Sequence, residues 1–395
     1  MNGPLLLAWR HVSYHRGRTA ILSGCLGLAL YLPIAAAIVT HDYQQQLTHR
    51  ATETPLIAGA PGNRFDLTLS TLYFQESELA GVPLSAASAL SGSDFTDASL
   101  ALAIPVHQRF TARGAPLVGV GFEYFGFREL RPADGTLPRA LGDVLLGSEL
   151  AMTWGLSPGD TLYSDPREVY DIARPSSLAL SVCGVLAATG DPDDRVAFVD
   201  ISTSSLLEGL LHGHDDASQD VDEALLLART DSLVMVSPAL IEHNGVTAEN
   251  AASFHGHGDL DNLPLTAFIL VPHDHKSATL LTSRINNGGQ WQVVAPQSVI
   301  SDLMGFVFRI KTLFDSVAAL LVGTTALLVG LVLALSIRMR ADEMTTLMRI
   351  GCSAKTVAKL HGFEVGFVVL LGGAMAATLL VLTLTWLPNL MTLLS

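Results

Sequence analysis

Three membrane-spanning α-helices combined with one large mixed α/β domain form the fold class that the sequence predicts, and three observations carry it. Of 395 residues 49% are hydrophobic and only 15% are charged, with a mean hydropathy of +0.40. Soluble chains hold about 25% charged residues, so the composition is that of a membrane protein. The apolar residues are gathered in three stretches, which excludes an evenly polytopic bundle. Between the first and second stretches lies a segment of ordinary composition, 41–311, long enough to fold around its own core.

Residues 1–18 carry Arg10, Arg16 and Arg18 and no acid. The first span, 19–40, is 22 residues without a charge, and Ser316–Ile337 is a second uncharged run of the same length, placing a span over 312–337. A third runs over 365–387, and Pro388 is expected to end it and leave 388–395 as a tail. Each matches the roughly 20 apolar residues that cross a bilayer core of about 30 Å. A secretory signal would have a shorter apolar core than the first run and a shorter leader than the 18 residues before it.

Basic residues beside spans mark the cytoplasmic side. Residues 1–18 and the 338–364 segment, with Arg338, Arg340, Arg349, Lys355 and Lys359, are therefore expected inside. The 41–311 segment has 33 Asp or Glu against 15 Lys or Arg, a balance of −18 where the whole chain has −14, and is expected outside. An acidic domain repels nucleic-acid phosphates, which removes that class of partner. With this topology Cys25, Cys183 and Cys352 lie in three different compartments and form no internal disulfide.

Within 41–311, short apolar runs bounded by Gly, Pro or Asp predict strands over 65–74, 100–110, 117–127, 178–186, 196–201 and 266–271. Leu141–Tyr163 reads as a strand, a helix opened by Ser148 and closed near Gly155, and a Pro-Gly-Asp turn into another strand. Residues 290–300 read as strand then turn, and from about Ser301 an amphipathic helix feeds into the second span. Arg309, Lys311 and Asp315 mark its outer boundary as a stalk surface or a solvated collar.

No G-x-x-x-x-G-K-[ST], G-x-S-x-G or H-E-x-x-H occurs, so the nucleotide-binding loop and the serine-hydrolase and zincin signatures are missing. Asp191, Asp193 and Asp194 could hold a divalent cation, although such a run is more often a solvated turn. Three His-x-His pairs stand out: His212 with His214, His255 with His257, and His273 with His275. Alternate residues of an extended segment point the same way, so each pair could present two imidazoles to zinc or copper; the plainer reading is hydrated surface loops.

Several segments resemble one family. Gly147–Leu162 (GSELAMTWGLSPGDTL) and Val182–Ile201 look like parts of the periplasmic core domain of MacB-like permeases, which group with the FtsX and LolC/LolE ABC transporters. Leu7-Ala-Trp-Arg10 with Arg16-Gly-Arg-Thr19 is similar to that group's amphipathic N-terminal helix. Arg338 to Glu343, then Leu347 to Val357 with Gly351 and Ser353, and finally Glu364, resemble its cytoplasmic stretch. Taken alone, 338–364 is a basic topological anchor. The resemblance implies instead a coupling role for Arg338, Arg340, Glu343, Arg349, Gly351, Ser353, Lys355 and Glu364, on a helix, a turn and a second helix capped by Ser353.

It further implies a non-catalytic permease subunit of the bacterial inner membrane that works as a homodimer, with ATP bound by a separate cytoplasmic ATPase. Movement of the periplasmic domains would act on a periplasmic partner or substrate, in export, extraction from the membrane or envelope regulation. Family members carry a fourth transmembrane helix, so a sequence stopping at Ser395 reads as a three-span variant or a truncated chain. The rival expectation is a membrane-anchored zinc-binding or sensor module built on the histidine loops.

Overall fold

Asparagine, glycine and proline punctuate the chain much as its local chemistry requires. The computed structural model describes every residue except 1–2, 87–99, 167–176, 214–225, 231–232, 237–242, 248, 257–259, 340 and 395. The chain divides into two units, one of residues Gln46–Leu303 and the other of Met1–Gln45 together with Met304–Ser395.

The α/β unit is organised on a ten-stranded sheet. Along its main path the order is Gln292–Val294, Leu56–Gly59, Ala267–Pro272, Leu100–Ala112, Ala115–Val120, Ala197–Asp200, Asp143–Leu146, Ala179–Leu186 and Pro132–Gly135, with Thr161–Tyr163 also paired to Ala179–Leu186. Pairing is antiparallel except between Ala115–Val120 and Ala197–Asp200 and between Asp143–Leu146 and Ala179–Leu186.

Alternation places successive side chains on opposite faces, and both faces are covered. Ile269 joins a cluster with Ile104, Tyr124 and Phe198, while its neighbours Phe268 and Leu270 pack with Leu281 and Val293. In the same way Leu145 sits with Phe198, whereas Val144 and Leu146 pack with Leu117, Leu162 and Leu180. Double coverage accounts for the near-continuous apolar runs in these strands.

Most expected strands are present, with three corrections. Residues 65–74 form a helix, Arg64–Tyr73, rather than a strand. Asn63 opens it, its side chain accepting from the Phe65 amide at 3.0 Å, and Phe74 closes it in the left-handed region at φ 55°. The 117–127 run is not one strand: Ala115–Val120 stops before Gly121, and a short helix follows at Glu123–Phe127. The helix expected from about Ser301 already begins at Pro296 and continues to Met339. Leu141–Tyr163 folds as expected, with helix Ser148–Trp154 between strands Asp143–Leu146 and Thr161–Tyr163 and Gly155 at φ 63° as its left-handed cap.

Among the described residues, three helices are long and apolar enough to cross a membrane: Arg16–His41 within helix Arg16–Glu53, Pro296–Met339, and Ala354–Thr385 within helix Ala354–Leu394. The last helix runs through Pro388, which neither ends nor turns it. In the helical unit, Gly27 and Gly372 allow two helices to approach closely. A Cβ on Gly27 would lie 2.9 Å from the Gly372 carbonyl oxygen and 2.6 Å from Met375 Cε. The Tyr31 hydroxyl and Thr383 Oγ1 share a 2.6 Å hydrogen bond, and the Ser23 hydroxyl donates to the Val368 carbonyl at 3.3 Å. Such small and hydroxylic contacts suit packing where surrounding lipid is as apolar as the helices.

Candidate functional site

The segment between the second and third apolar helices folds as a hairpin. Helix Ala341–Arg349 buries Met344 and exposes Asp342 and Arg349; Arg338, at the end of the preceding helix, is exposed too. Gly351 turns the chain at φ 104°, where a β-carbon would be strained. The Ser353 hydroxyl then accepts from the Thr356 amide at 3.3 Å and hydrogen-bonds the Thr356 hydroxyl at 2.9 Å, which satisfies an amide at the start of helix Ala354–Leu394. Lys355 and Lys359 follow, both exposed. Ile350 stands 76% exposed beside this charge, an apolar tip on a basic hairpin. Arg340 and the side chain of Glu343 lie outside the described residues.

Glu364 is placed differently from the rest of that set. It is buried, 3.3 Å from His361 Nδ1 and 3.7 Å from His11 Nε2, and His11 meets Arg18 at 3.2 Å. Trp9 packs against Phe367 with ring centroids 5.4 Å apart. Glu364 therefore ties helix Gly3–Tyr14 to helix Ala354–Leu394 and offers no exposed docking group.

A second constellation lies in the α/β unit and was not apparent in the sequence. Arg50, near the end of helix Arg16–Glu53, forms a buried two-nitrogen pair with Asp193: Nη1 meets Oδ2 and Nη2 meets Oδ1 at 3.1 Å. Arg50 Nη2 also donates to the Tyr124 hydroxyl at 2.8 Å, and that hydroxyl donates to Asp193 Oδ1 at 2.8 Å. The Arg50 guanidinium lies over the Phe74 ring at 5.2 Å, and Arg128 donates to the Thr54 hydroxyl at 2.7 Å. Burial would raise the Asp193 carboxyl, but the adjacent Arg50 charge and the hydrogen bonds from Arg50 and Tyr124 hold it below the usual carboxylate range. Burial pushes the Tyr124 phenol above its ordinary value.

The acidic run 191–194 is thus no solvated turn, since Asp193 and Asp194 are both buried. Asp194 accepts from the Thr189 amide at 3.0 Å and the Gly190 amide at 2.7 Å, so its oxygens serve the loop itself. Gly147 packs on this loop, where a Cβ would come within 2.5 Å of the Asp193 carbonyl oxygen. That contact joins the 147–162 and 182–201 segments, whose patterns are separate in the sequence.

Of the histidines, His212 and His255 face each other across the ladder between Leu211–Gly213 and Phe254–Gly256, with ring centroids 5.0 Å apart. His214 and His257 lie outside the described residues. His273 and His275 stand on either side of Asp274, whose carboxylate accepts from the Ser277 amide at 2.7 Å and caps helix His275–Gly288. Among the described residues no group of three or more His, Cys, Asp or Glu could hold a metal ion. Lys311 and Asp315 form an exposed ion pair at 2.7 Å along one helix face.

No family model matches the chain, and no curated protein matches it. Among solved structures, the periplasmic region of MacB from Actinobacillus actinomycetemcomitans is similar at 12% identity and a TM-score of 0.36, covering 65% of this chain and 97% of that one. The extracellular domain of the noncanonic ABC-type transporter YknZ from Gram-positive bacteria is similar at 12% identity and a TM-score of 0.34, covering 60% of this chain and 98% of that one. Both likenesses are distant.

Proposed function

We propose that the chain is the permease subunit of a MacB-like ABC system, coupling ATP hydrolysis by a separate cytoplasmic ATPase to movement of an α/β domain outside the membrane. The observation that carries this reading is the exposed basic hairpin of Ala341–Arg349, Gly351 and the start of Ala354–Leu394, set between two helices long enough to span. Its exposed Arg338, Arg349, Lys355 and Lys359 with the apolar Ile350 make a surface suited to an acidic, apolar-floored groove on a partner. The positive residues on 1–18 and 338–364 and the −18 balance of 41–311 support placing the hairpin inside and the α/β domain outside.

Helix Pro296–Met339 supports a mechanical mode of action, because its first turns bury Val299 and Ile300 while its later residues form the apolar run. A continuous helix would pass force along its hydrogen-bonded axis. Two permease copies would present two hairpins to two ATPase subunits.

Purification of the tagged chain in mild detergent tests the proposal. An ATPase subunit should be recovered in equal amount with measurable ATP hydrolysis, and Arg349→Glu should abolish both. Absence of an ATPase from the wild-type preparation, or unchanged recovery and hydrolysis with Arg349→Glu, would overturn it.

A further inference from the structure

Helix Gly3–Tyr14 has two unlike sides. Ala8 and Val12 are buried, and the Trp9 ring packs on Phe367, so one side rests on helix Ala354–Leu394. At about 100° per residue the opposite side is formed by Gly3, Leu7, Arg10 and Tyr14, which follow one another at intervals of four, three and four. A helix side turned away from its packing partner is ordinarily polar. Here Leu7 is 59% exposed and Tyr14 82%, with the exposed Arg10 between them and Leu6 exposed alongside.

The depth of this helix in the bundle follows from its contacts. Only His15 separates Tyr14 from Arg16, where helix Arg16–Glu53 begins. If the two helices shared one axis, residues 9 and 23 would lie about 21 Å apart along it. Instead Trp9 meets Phe367, and Ser23 donates to the carbonyl of the next residue, Val368. The Thr19 hydroxyl likewise lies 3.5 Å from the Val12 carbonyl oxygen, where a straight helix would separate the two residues by about 10.5 Å along its axis. The chain therefore bends back at the foot of the span. Helix Gly3–Tyr14 lies against the bundle at the level where the uncharged runs beginning at Thr19 and Val365 start.

We propose that helix Gly3–Tyr14 is a binding surface for anionic phospholipid headgroups, with Leu7 and Tyr14 seated in the membrane interface and Arg10 and Arg16 paired to the headgroups' negative charge. Leucine and aromatic rings settle between acyl chains and headgroups, and arginine extends from there to the charged layer. The charge of the segment selects the headgroup. No Asp or Glu precedes Asp42, Arg10 and Arg16 are exposed, and Arg18 meets His11 at 3.2 Å. Such a surface requires only that Arg16–His41 crosses a membrane. It involves neither an ATPase nor the hairpin at Arg349, so this test and the coupling experiment fail separately.

The test is hydrogen–deuterium exchange of residues 3–14 in the full-length chain, in nanodiscs of phosphatidylcholine alone and of phosphatidylcholine with phosphatidylglycerol in equal parts. Exchange should be slower in the anionic discs by at least about fivefold, the factor that one arginine beside an anionic surface supplies. Arg10→Gln combined with Arg16→Gln should remove this difference, and Arg10→Lys combined with Arg16→Lys should keep it. Arg309→Gln, beyond the opposite end of the second span, should leave it as in the wild type. Leu7→Gln should speed exchange in both lipids. Exchange over residues 365–385 reports whether each variant keeps the helical bundle. Equal exchange of the wild type in the two lipids, the result for a face that binds protein instead, would overturn the proposal. So would a difference that survives loss of both arginines, or unchanged exchange in Leu7→Gln. A wild-type difference that persists in about 1 M salt, where charges act over only about 3 Å, would do the same without any substitution.

Discussion

Arg50 and Asp193 form an ion pair buried to the same degree on both sides, each side chain only 2% exposed, across 143 residues of sequence. The pair fixes the C-terminal end of helix Arg16–Glu53 to the loop at Pro192–Arg195. Removing one partner strands the other charge in a buried site, which costs about 3–5 kcal/mol. Asp193→Asn and Arg50→Met should each lower the unfolding midpoint of the purified chain by many degrees. Arg195→Gln breaks a half-exposed contact to Glu149 at 3.7 Å and should change stability by less than about 1 kcal/mol. Calorimetric or fluorescence melting compares the three.

The same pair dictates a pH dependence. Asp193 is held below its unfolded value of about 3.9, so its contribution is complete above that pH and is lost as pH falls through the lower folded value. Tyr124 is raised by burial, so its contribution is complete below about pH 10 and declines above it. The stability difference between wild type and Asp193→Asn should therefore be constant near neutrality and shrink below about pH 4. A difference that stayed constant down to pH 2 would contradict the charged pair.

At the Gly27 crossing the expected effects of one methyl group have opposite signs two turns or less apart. Gly27→Ala drives a Cβ into the Gly372 carbonyl at 2.9 Å and should cost about 1–3 kcal/mol. Gly24→Ala meets nothing within 4 Å and should stabilise the helix by up to about 1 kcal/mol. Melting temperatures in one detergent measure both.

Cys183 should resist alkylation. Burial, reinforced by the Asp143 charge, pushes its thiol up to about 12, and its sulfur lies 3.4 Å from the carbonyl oxygens of Thr136 and Val144. Because the thiolate is the nucleophile, iodoacetamide at pH 8 should modify it on the order of 10³-fold more slowly than a free cysteine of ordinary pKa. Unfolding in urea should restore the rate, read by mass spectrometry of the Cys183 peptide.

How much of this was legible follows from the range of the interactions. Gly155 closes its helix through the Ala151 carbonyl four residues away, and strand Ala179–Leu186 shows its alternation directly. Ser353 was readable as a cap for the same reason. Residues 65–74 read as a strand because Thr, Phe and Tyr favour strands, while the deciding signal for helix Arg64–Tyr73 is one cap at Asn63. Glu364 sits in a resembling pattern, yet its role depends on His11, more than 350 positions away. The partner of Arg50 is also remote, 143 positions away, and nothing in the acidic run 191–194 distinguishes a buried carboxylate from a hydrated one. The His212 and His255 pairs each suggested metal by spacing, but their meeting is a matter of strand register.

Helix Pro296–Met339 contains 44 residues and no proline after its first position. At 1.5 Å per residue it is about 66 Å long, more than twice a hydrocarbon core of about 30 Å. A rod of that length amplifies inclination: a tilt of about 5° around one end carries the other sideways through about 6 Å. A reorientation small enough to leave side-chain packing at the pivot intact would thus displace the far end by more than half of the roughly 8–10 Å that separates the axes of packed helices.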